Sequence, residues 1–169
     1  MNGLRRILHR IDVASEWSGK VLCYLLVVMG LITLFEVVLR YVFKDPTRWA
    51  FETVQLMFGV YFILGGAYAL FMKAHVNMDL LHSRWSPKTR AIVDVFTSLI
   101  FYFFIGCLLY FGGKFAWDSL IIFQRSGTVW SPYIWPAKLA IPIGAFLVLL
   151  QGTAKFVRDL NTAITGKEL

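Results

Sequence analysis

The sequence predicts an all-α integral membrane protein with four transmembrane helices, and three observations support this prediction. Four long apolar stretches, 21–39, 53–72, 95–113 and 139–154, carry charged residues only near their ends. About 20 helical residues, at about 1.5 Å each, cross a hydrocarbon core about 30 Å thick. Of the 169 residues, 58% are hydrophobic and 16% are charged, which leaves no room for a separate soluble domain. All six tryptophans lie near predicted span ends, as in an interfacial aromatic belt.

The spans are expected at about 20–43, 50–72, 91–114 and 136–157 within a single membrane domain. The fourth reaches sufficient length only with its proline- and tryptophan-containing approach, and proline is tolerated at a helix start. An amphipathic segment at about 3–18 precedes the first span and has one apolar and one basic face. We expect it to lie as an interfacial helix against membrane lipids; a solvated basic tail is the alternative.

The distribution of basic residues predicts the orientation. Eleven of the 17 Lys and Arg residues fall on the N-terminus, the central loop and the C-terminus, which four spans place on one side. Because basic loops are retained in the cytoplasm, both termini are expected there. The same clustering beside the spans explains the net charge of +7 without nucleic-acid binding.

The connection between the first two spans carries the densest pattern of charged residues. Glu36 and Arg40 are four residues apart, so they share one helical face near the outer membrane boundary. Glu52 begins the second span at a similar height, close to Trp49, and is placed to share Arg40. A charge at this depth is tolerated when it is paired. The pattern therefore favours a structural ion-pair clasp and interface, with a proton or ion relay as the alternative.

A second short interfacial helix is predicted in the central loop, where apolar and polar residues interleave. Its His75, Asp79 and His82 have helical spacing, and these residue types are zinc ligands. No fourth ligand is near, so the polar face of an interfacial helix explains them better than a metal site. No histidine lies within a span to bind haem, and Cys23 and Cys107 form no C-x-x-C pair. Nucleophile and phosphate-binding motifs are also missing, so we expect no cofactor, no metal and no catalytic residue.

The second span contains a cluster of small residues. Gly65 and Ala69 form a small-xxx-small step, and Gly66 adjoins it. Helices in lipid gain little from burying apolar side chains, so they associate where small residues let their backbones approach. The step predicts close helix packing, either within the chain or against a partner.

Several short segments follow one another in a distinctive order. They are Glu36…Arg40-Tyr41-Val42-Phe43, Trp49 with Glu52, Gly65-Gly66-Ala67, His75-Val76-Asn77-Met78-Asp79, and Pro136…Ile141-Pro142-Ile143-Gly144. This series resembles the small membrane subunit of tripartite ATP-independent periplasmic (TRAP) transporters, the DctQ-like family. The resemblance covers about residues 15–158, and the order of the segments is more specific than any one of them.

The resemblance implies a multi-pass subunit of the bacterial inner membrane with cytoplasmic termini. Its implied partners are a large multi-span membrane subunit, which carries the substrate and sodium sites, and a periplasmic solute-binding protein. The latter delivers a carboxylate-bearing solute of the dicarboxylate or sialic acid type. In this family, residues at the positions of Arg40 and Glu52 are expected to be structural or interfacial.

Two functions follow from these expectations. The first is a non-catalytic scaffold that braces the large subunit during sodium-driven uptake and helps to dock the solute receptor. The second is an autonomous small four-span exporter, coupled to protons through Glu36. A redox or hydrolytic membrane enzyme lacks its ligands and nucleophiles in this sequence.

Overall fold

A computed structural model describes residues 2–72 and 87–165, which form four α-helices. Their bounds are Asn2–Val38 for α1, Ala50–Phe71 for α2, Pro87–Ile121 for α3 and Trp135–Thr165 for α4. A π-helical turn, Leu39–Phe43, extends α1. All four helices are long and apolar enough to cross a membrane, which confirms the predicted all-α, four-span fold. The predicted interfacial helix of the central loop, with His75 and Asp79, lies outside the described residues.

The N-terminal segment and the first span form one continuous helix. Helix α1 has 37 residues, so it is about 55 Å long and exceeds the thickness of the hydrocarbon core. No proline interrupts residues 2–38, which explains why the helix does not break where an interfacial segment was expected to end, near residue 18. Helix α3 likewise continues beyond the predicted span end at 114, to Ile121.

Helix α4 is the centre of the packing. It contacts α1, α2 and α3, whereas α3 packs extensively on α4 alone within the described part of the chain. The helices therefore follow the order α1, α2, α4, α3 across a layer, with α1 also touching α4. In its most apolar window α4 has 39% of its residues buried, against 6% for α2. The layer thus encloses little core and leaves most apolar side chains to lipid or to a partner.

Glycines set the distance between α4 and its neighbours. A Cβ atom added to Gly144 would lie 2.9 Å from the carbonyl oxygen of Ile63 in α2. A Cβ added to Gly112 in α3 would lie 2.6 Å from Cγ2 of Ile141. At Gly144 the backbones of α4 and α2 therefore approach closely, as membrane helices do at small residues, whereas at Gly112 the Ile141 side chain of α4 packs against α3.

The predicted small-residue step of α2 faces two different neighbours. A Cβ on Gly66 would lie 3.3 Å from Val148 of α4, and one on Gly65 would lie 3.7 Å from Leu22 of α1. Ala69 is partly buried on the same helix. Gly65 and Gly66 therefore lie at contacts within the chain, but the added Cβ comes nearest to a neighbouring backbone at Gly144.

We expect Gly144→Leu to destabilise the folded chain by about 1–3 kcal/mol or more, because the new side chain must displace the α2 backbone. The measurement is thermal unfolding of the purified protein in mild detergent. Gly106→Leu is the matched control, since Gly106 in α3 has nothing within 4 Å of an added Cβ. An equal loss of stability in both variants would contradict the packing described here.

Candidate functional site at the junction of the first two spans

The chain reverses direction between α1 and α2 through a tightly bonded turn. The π-helical turn ends at Phe43 and is capped by Lys44, which has a left-handed backbone with φ 58°. The carbonyl oxygen of Leu39 accepts hydrogen bonds from the backbone N–H groups of Lys44 and, at 3.1 Å, of Asp45. These bonds satisfy a carbonyl at the end of α1 that has no partner further along the helix.

Glu36 connects the end of α1 to this turn. Glu36 is buried, with only 8% of the residue exposed. Oε1 accepts hydrogen bonds from Nε of Arg40 at 3.1 Å and from Nη2 at 2.5 Å. Oε2 accepts the backbone N–H of Thr47 at 3.0 Å and also the Thr47 hydroxyl. Both carboxylate oxygens are therefore engaged, one within α1 and one across the turn.

Thr47 carries the connection on to α2. Its hydroxyl oxygen accepts the backbone N–H of Ala50, the first residue of α2, at 3.3 Å. Beside it the rings of Phe35 and Trp49 pack with centroids 6.4 Å apart. Glu36 thus links the end of the first span to the start of the second through charged and neutral hydrogen bonds, which are stronger where water is scarce.

Glu52 has a different partner from the one considered in the sequence. The hydroxyl of Thr128 donates to its Oε2 at 2.6 Å. Thr128 lies in the α3–α4 connection, so this bond joins the start of α2 to the opposite half of the layer. Within residues 2–72 and 87–165, Arg40 forms its ion pair with Glu36 and not with Glu52.

A second polar cluster, which the sequence analysis missed, joins α1 to α4. Ser15 donates to Oε1 of Gln151 at 3.1 Å, and Nε2 of Gln151 donates to Oδ1 of Asp12 at 3.2 Å. Arg158 completes the cluster by donating to Oδ2 of Asp12 at 2.5 Å. Ser15 and Gln151 are each only 2% exposed. This cluster lies at the end of the layer opposite Glu36.

A signal for this cluster was present in the sequence. Asp12 and Ser15 are three residues apart and share a face of α1, and Gln151 and Arg158 are seven apart and share a face of α4. A glutamine within an apolar span also requires a hydrogen-bonding partner. What the sequence lacks is the pairing of α1 with α4.

The described residues bring no group of three or more His, Cys, Asp or Glu side chains together as a metal site. The side chains at the junction of α1 and α2 instead hold the two helices together. The two oxygens of one carboxylate hold two spans and the turn between them, without a nucleophile or an adjacent acid and base pair.

Comparison with known proteins adds to this geometry. Residues 29–162 match the family described as "Tripartite ATP-independent periplasmic transporters, DctQ component". The chain is 25% identical over 141 residues to the "Sialic acid TRAP transporter permease protein SiaT" of Haemophilus influenzae (strain 86-028NP), a match covering 83% of this chain and 22% of that protein. It is 24% identical over 106 residues to the "C4-dicarboxylate TRAP transporter small permease protein DctQ" of Vibrio cholerae serotype O1 (strain ATCC 39315 / El Tor Inaba N16961). This match covers 63% of this chain and 40% of that protein. The chain thus spans less than half the length of either relative.

We expect Thr47→Val to lower the free energy of unfolding by about 1–3 kcal/mol, because a buried carboxylate oxygen loses a hydroxyl donor. Thr33→Val is the matched control, since the Thr33 hydroxyl donates to the carbonyl of Met29 in its own helix. Unfolding of the purified chain in detergent measures both. Equal stability of Thr47→Val and the wild-type chain would show that the Thr47 hydroxyl does not stabilise the turn.

Gln151→Leu is expected to destabilise the chain by about 1–3 kcal/mol, because Ser15 and Asp12 each lose a buried partner. Gln55→Leu is its control, since Gln55 is exposed on α2. The same unfolding measurement applies. A larger loss for Gln55→Leu than for Gln151→Leu would show that the α1–α4 cluster does not stabilise the layer.

Proposed function

Because this chain belongs to the DctQ component family of TRAP transporters, we propose that it acts as the non-catalytic small membrane subunit that braces a large transport subunit. Members of this family are components of transporters and are not enzymes. The relatives are a "permease protein" and a "small permease protein" by name. The large multi-span subunit carries the substrate and sodium sites in this proposal.

The observation that carries the proposal is the open layer of four helices. A self-sufficient bundle would bury its apolar faces in a common core, yet large apolar side chains of α1 are exposed, among them Leu31 at 60% and Leu34 at 61%. Large aromatic side chains on α3 are exposed, among them Phe103 at 75% and Tyr110 at 68%. A layer of this kind supplies a broad apolar wall for a neighbouring membrane protein.

The internal links of the layer support a fixed rather than a moving part. Glu36 holds the junction of α1 and α2 at one end, and Gln151 with Asp12 holds α1 to α4 at the other. Close glycine contacts join α2, α3 and α4 between these ends. A partner that moves its substrate site through the bilayer needs such an immobile frame.

We further propose that both termini are cytoplasmic in a bacterial inner membrane. The excess of basic residues on the terminal and central segments supports this orientation. Glu36, Arg40 and Glu52 then lie at the periplasmic end. In this orientation the turn at 44–49 and the α3–α4 connection at 122–134 face the periplasm, where they would contribute to docking of the solute-binding protein.

We propose that the transported solute carries a carboxylate. One relative is named for sialic acid and the other for C4-dicarboxylates, and both solutes carry carboxylates. Sodium coupling belongs to the same proposal and would reside in the large subunit.

The alternative, an autonomous exporter using Glu36, is less favoured. A carrier carboxylate must exchange its proton with water and substrate, whereas both oxygens of Glu36 are occupied by Arg40 and Thr47. In the described spans, the Thr33 hydroxyl bonds its own helix and provides no onward route.

Omitting this chain from proteoliposomes that contain the large subunit and the solute-binding protein should abolish sodium-driven uptake, because the moving subunit loses its frame. The measurement is uptake of labelled solute, with the complete three-component system as the control. Co-purification in mild detergent checks that the large subunit binds this chain.

Full uptake without the chain would contradict the proposal. The exporter is tested separately with the purified chain alone: flux that is lost in Glu36→Gln would favour the exporter, and absence of flux in both proteins would favour the brace.

A further inference from the structure

The N-terminal part of α1 carries cations that no acid of its own segment neutralises. Residues 2–11 contain no Asp or Glu, and Arg6, His9 and Arg10 are exposed. Among residues 2–72 and 87–165, neither Arg6 nor Arg10 has a partner in an ion pair. The charge of this segment is therefore available to an anion from outside the chain.

Contacts with α4 hold the other face of the segment and thereby fix the direction of these cations. Leu8 is only 6% exposed. Asp12, the first acid of the sequence, accepts a hydrogen bond from Arg158 of α4 at 2.5 Å. Arg6 and Arg10 are one helical turn apart and lie on the face of α1 opposite Leu8. They therefore point away from the layer, and the nearest acid points into it.

The face that carries Arg10 becomes apolar toward the middle of the span. Four exposed side chains follow at steps of three or four residues, so they share one helical face: Val13, Trp17, Val21 and Tyr24. We call these four residues the outward stripe of α1. Trp17 is 68% exposed and Tyr24 is 76% exposed. A helix face that is cationic at its end and apolar along its length complements a phospholipid, whose phosphate and acyl chains follow in the same order.

The spacing along α1 places the cations at the level of lipid headgroups. Trp17 and Arg40 are 23 residues apart, which is about 34 Å of helix and close to the thickness of the hydrocarbon core. Trp17 therefore lies at one boundary of the core when Arg40 lies at the other. Arg10 lies about 10 Å beyond Trp17, where its long side chain reaches the headgroups.

We propose that this face of α1 binds an anionic phospholipid, with Arg6 and Arg10 receiving the phosphate and the outward stripe lying along an acyl chain. The site belongs to the leaflet at the N-terminal end of α1, whichever side of the membrane that is. Because α1 is one continuous helix, a headgroup held there also fixes the depth of the first span. The inference goes beyond the proposed role as a brace and does not rest on it.

The combination of charge and apolar surface favours a lipid over a protein as the occupant. A soluble acidic protein would meet the two arginines but would leave Trp17 and Val21 uncovered. A membrane helix would have to present an acid outside the hydrocarbon core in register with an apolar groove. An anionic phospholipid has both parts in its own structure and is present at this level of the bilayer.

The test is competitive lipid binding to the purified full chain in mild detergent, with phosphatidylglycerol and phosphatidylcholine of the same acyl chains in equal amounts. Native mass spectrometry measures the ratio of the two lipids on chains that carry one lipid. We expect the wild-type chain to prefer phosphatidylglycerol. Arg6→Gln with Arg10→Gln should lower the ratio about tenfold or more, since each basic residue near an anionic surface contributes a factor of about five. Arg6→Lys with Arg10→Lys should keep most of the preference, because the charge remains.

Lys44→Gln with Arg48→Gln is the matched control, since both residues are exposed at the other end of the first span and the same charge is removed. No preference in the wild-type chain, an unchanged ratio in Arg6→Gln with Arg10→Gln, or an equal fall in the control would overturn the assignment. Displacement of phosphatidylglycerol by inorganic phosphate would also overturn it, because the site would then bind a small anion.

Co-purification of the complete transporter separates the lipid from a protein occupant. Arg6→Gln with Arg10→Gln should retain the large subunit in mild detergent. Loss of that subunit would overturn the assignment, because this face of α1 would then contact a protein. Uptake without the chain is measured independently of lipid binding, so failure of this inference and failure of the proposed function are distinguishable.

Discussion

The structure depends on the close approach of α4 to its neighbours in a solvent that gives helices no hydrophobic reason to associate. At Gly144 the backbone of α4 lies so near Ile63 of α2 that no side chain fits between them. Dispersion contacts at this distance replace the burial of apolar area that drives folding in water. The packing of α2 and α3 on the two sides of α4 follows from that constraint, and so does the small size of the core.

Polar contacts at the two ends of the layer complement this packing. Glu36 and Thr47 fix the reversal between α1 and α2, and Gln151 joins α1 to α4 at the opposite end. Hydrogen bonds of this kind are directional, so they set the register of helices that dispersion alone would leave free to slide. The apolar faces that remain exposed are then available to lipid and to a larger membrane partner. The proposed role as a brace follows from this combination of fixed ends and open faces.

Much of the fold was predictable because its signals are local. The length of each apolar stretch predicts a span, and the four-residue spacing of Glu36 and Arg40 predicts a shared helical face. The remaining contacts join distant parts of the chain. Thr128 is 76 residues from Glu52, and Gln151 is 136 residues from Ser15. Helical periodicity says which face a residue occupies, but not which helix it meets.

A distance measured across the layer will show whether the four helices act as one fixed wall. Spin labels at Lys44, beyond α1, and Lys114, on α3, lie on exposed positions at opposite sides of the layer. Pulsed electron paramagnetic resonance would record their separation in the reconstituted transporter, with and without sodium, solute and solute-binding protein. The same distance distribution in every condition is the predicted result. A distribution that shifts when solute and sodium are added would show that this chain moves with its partner and is not a fixed brace.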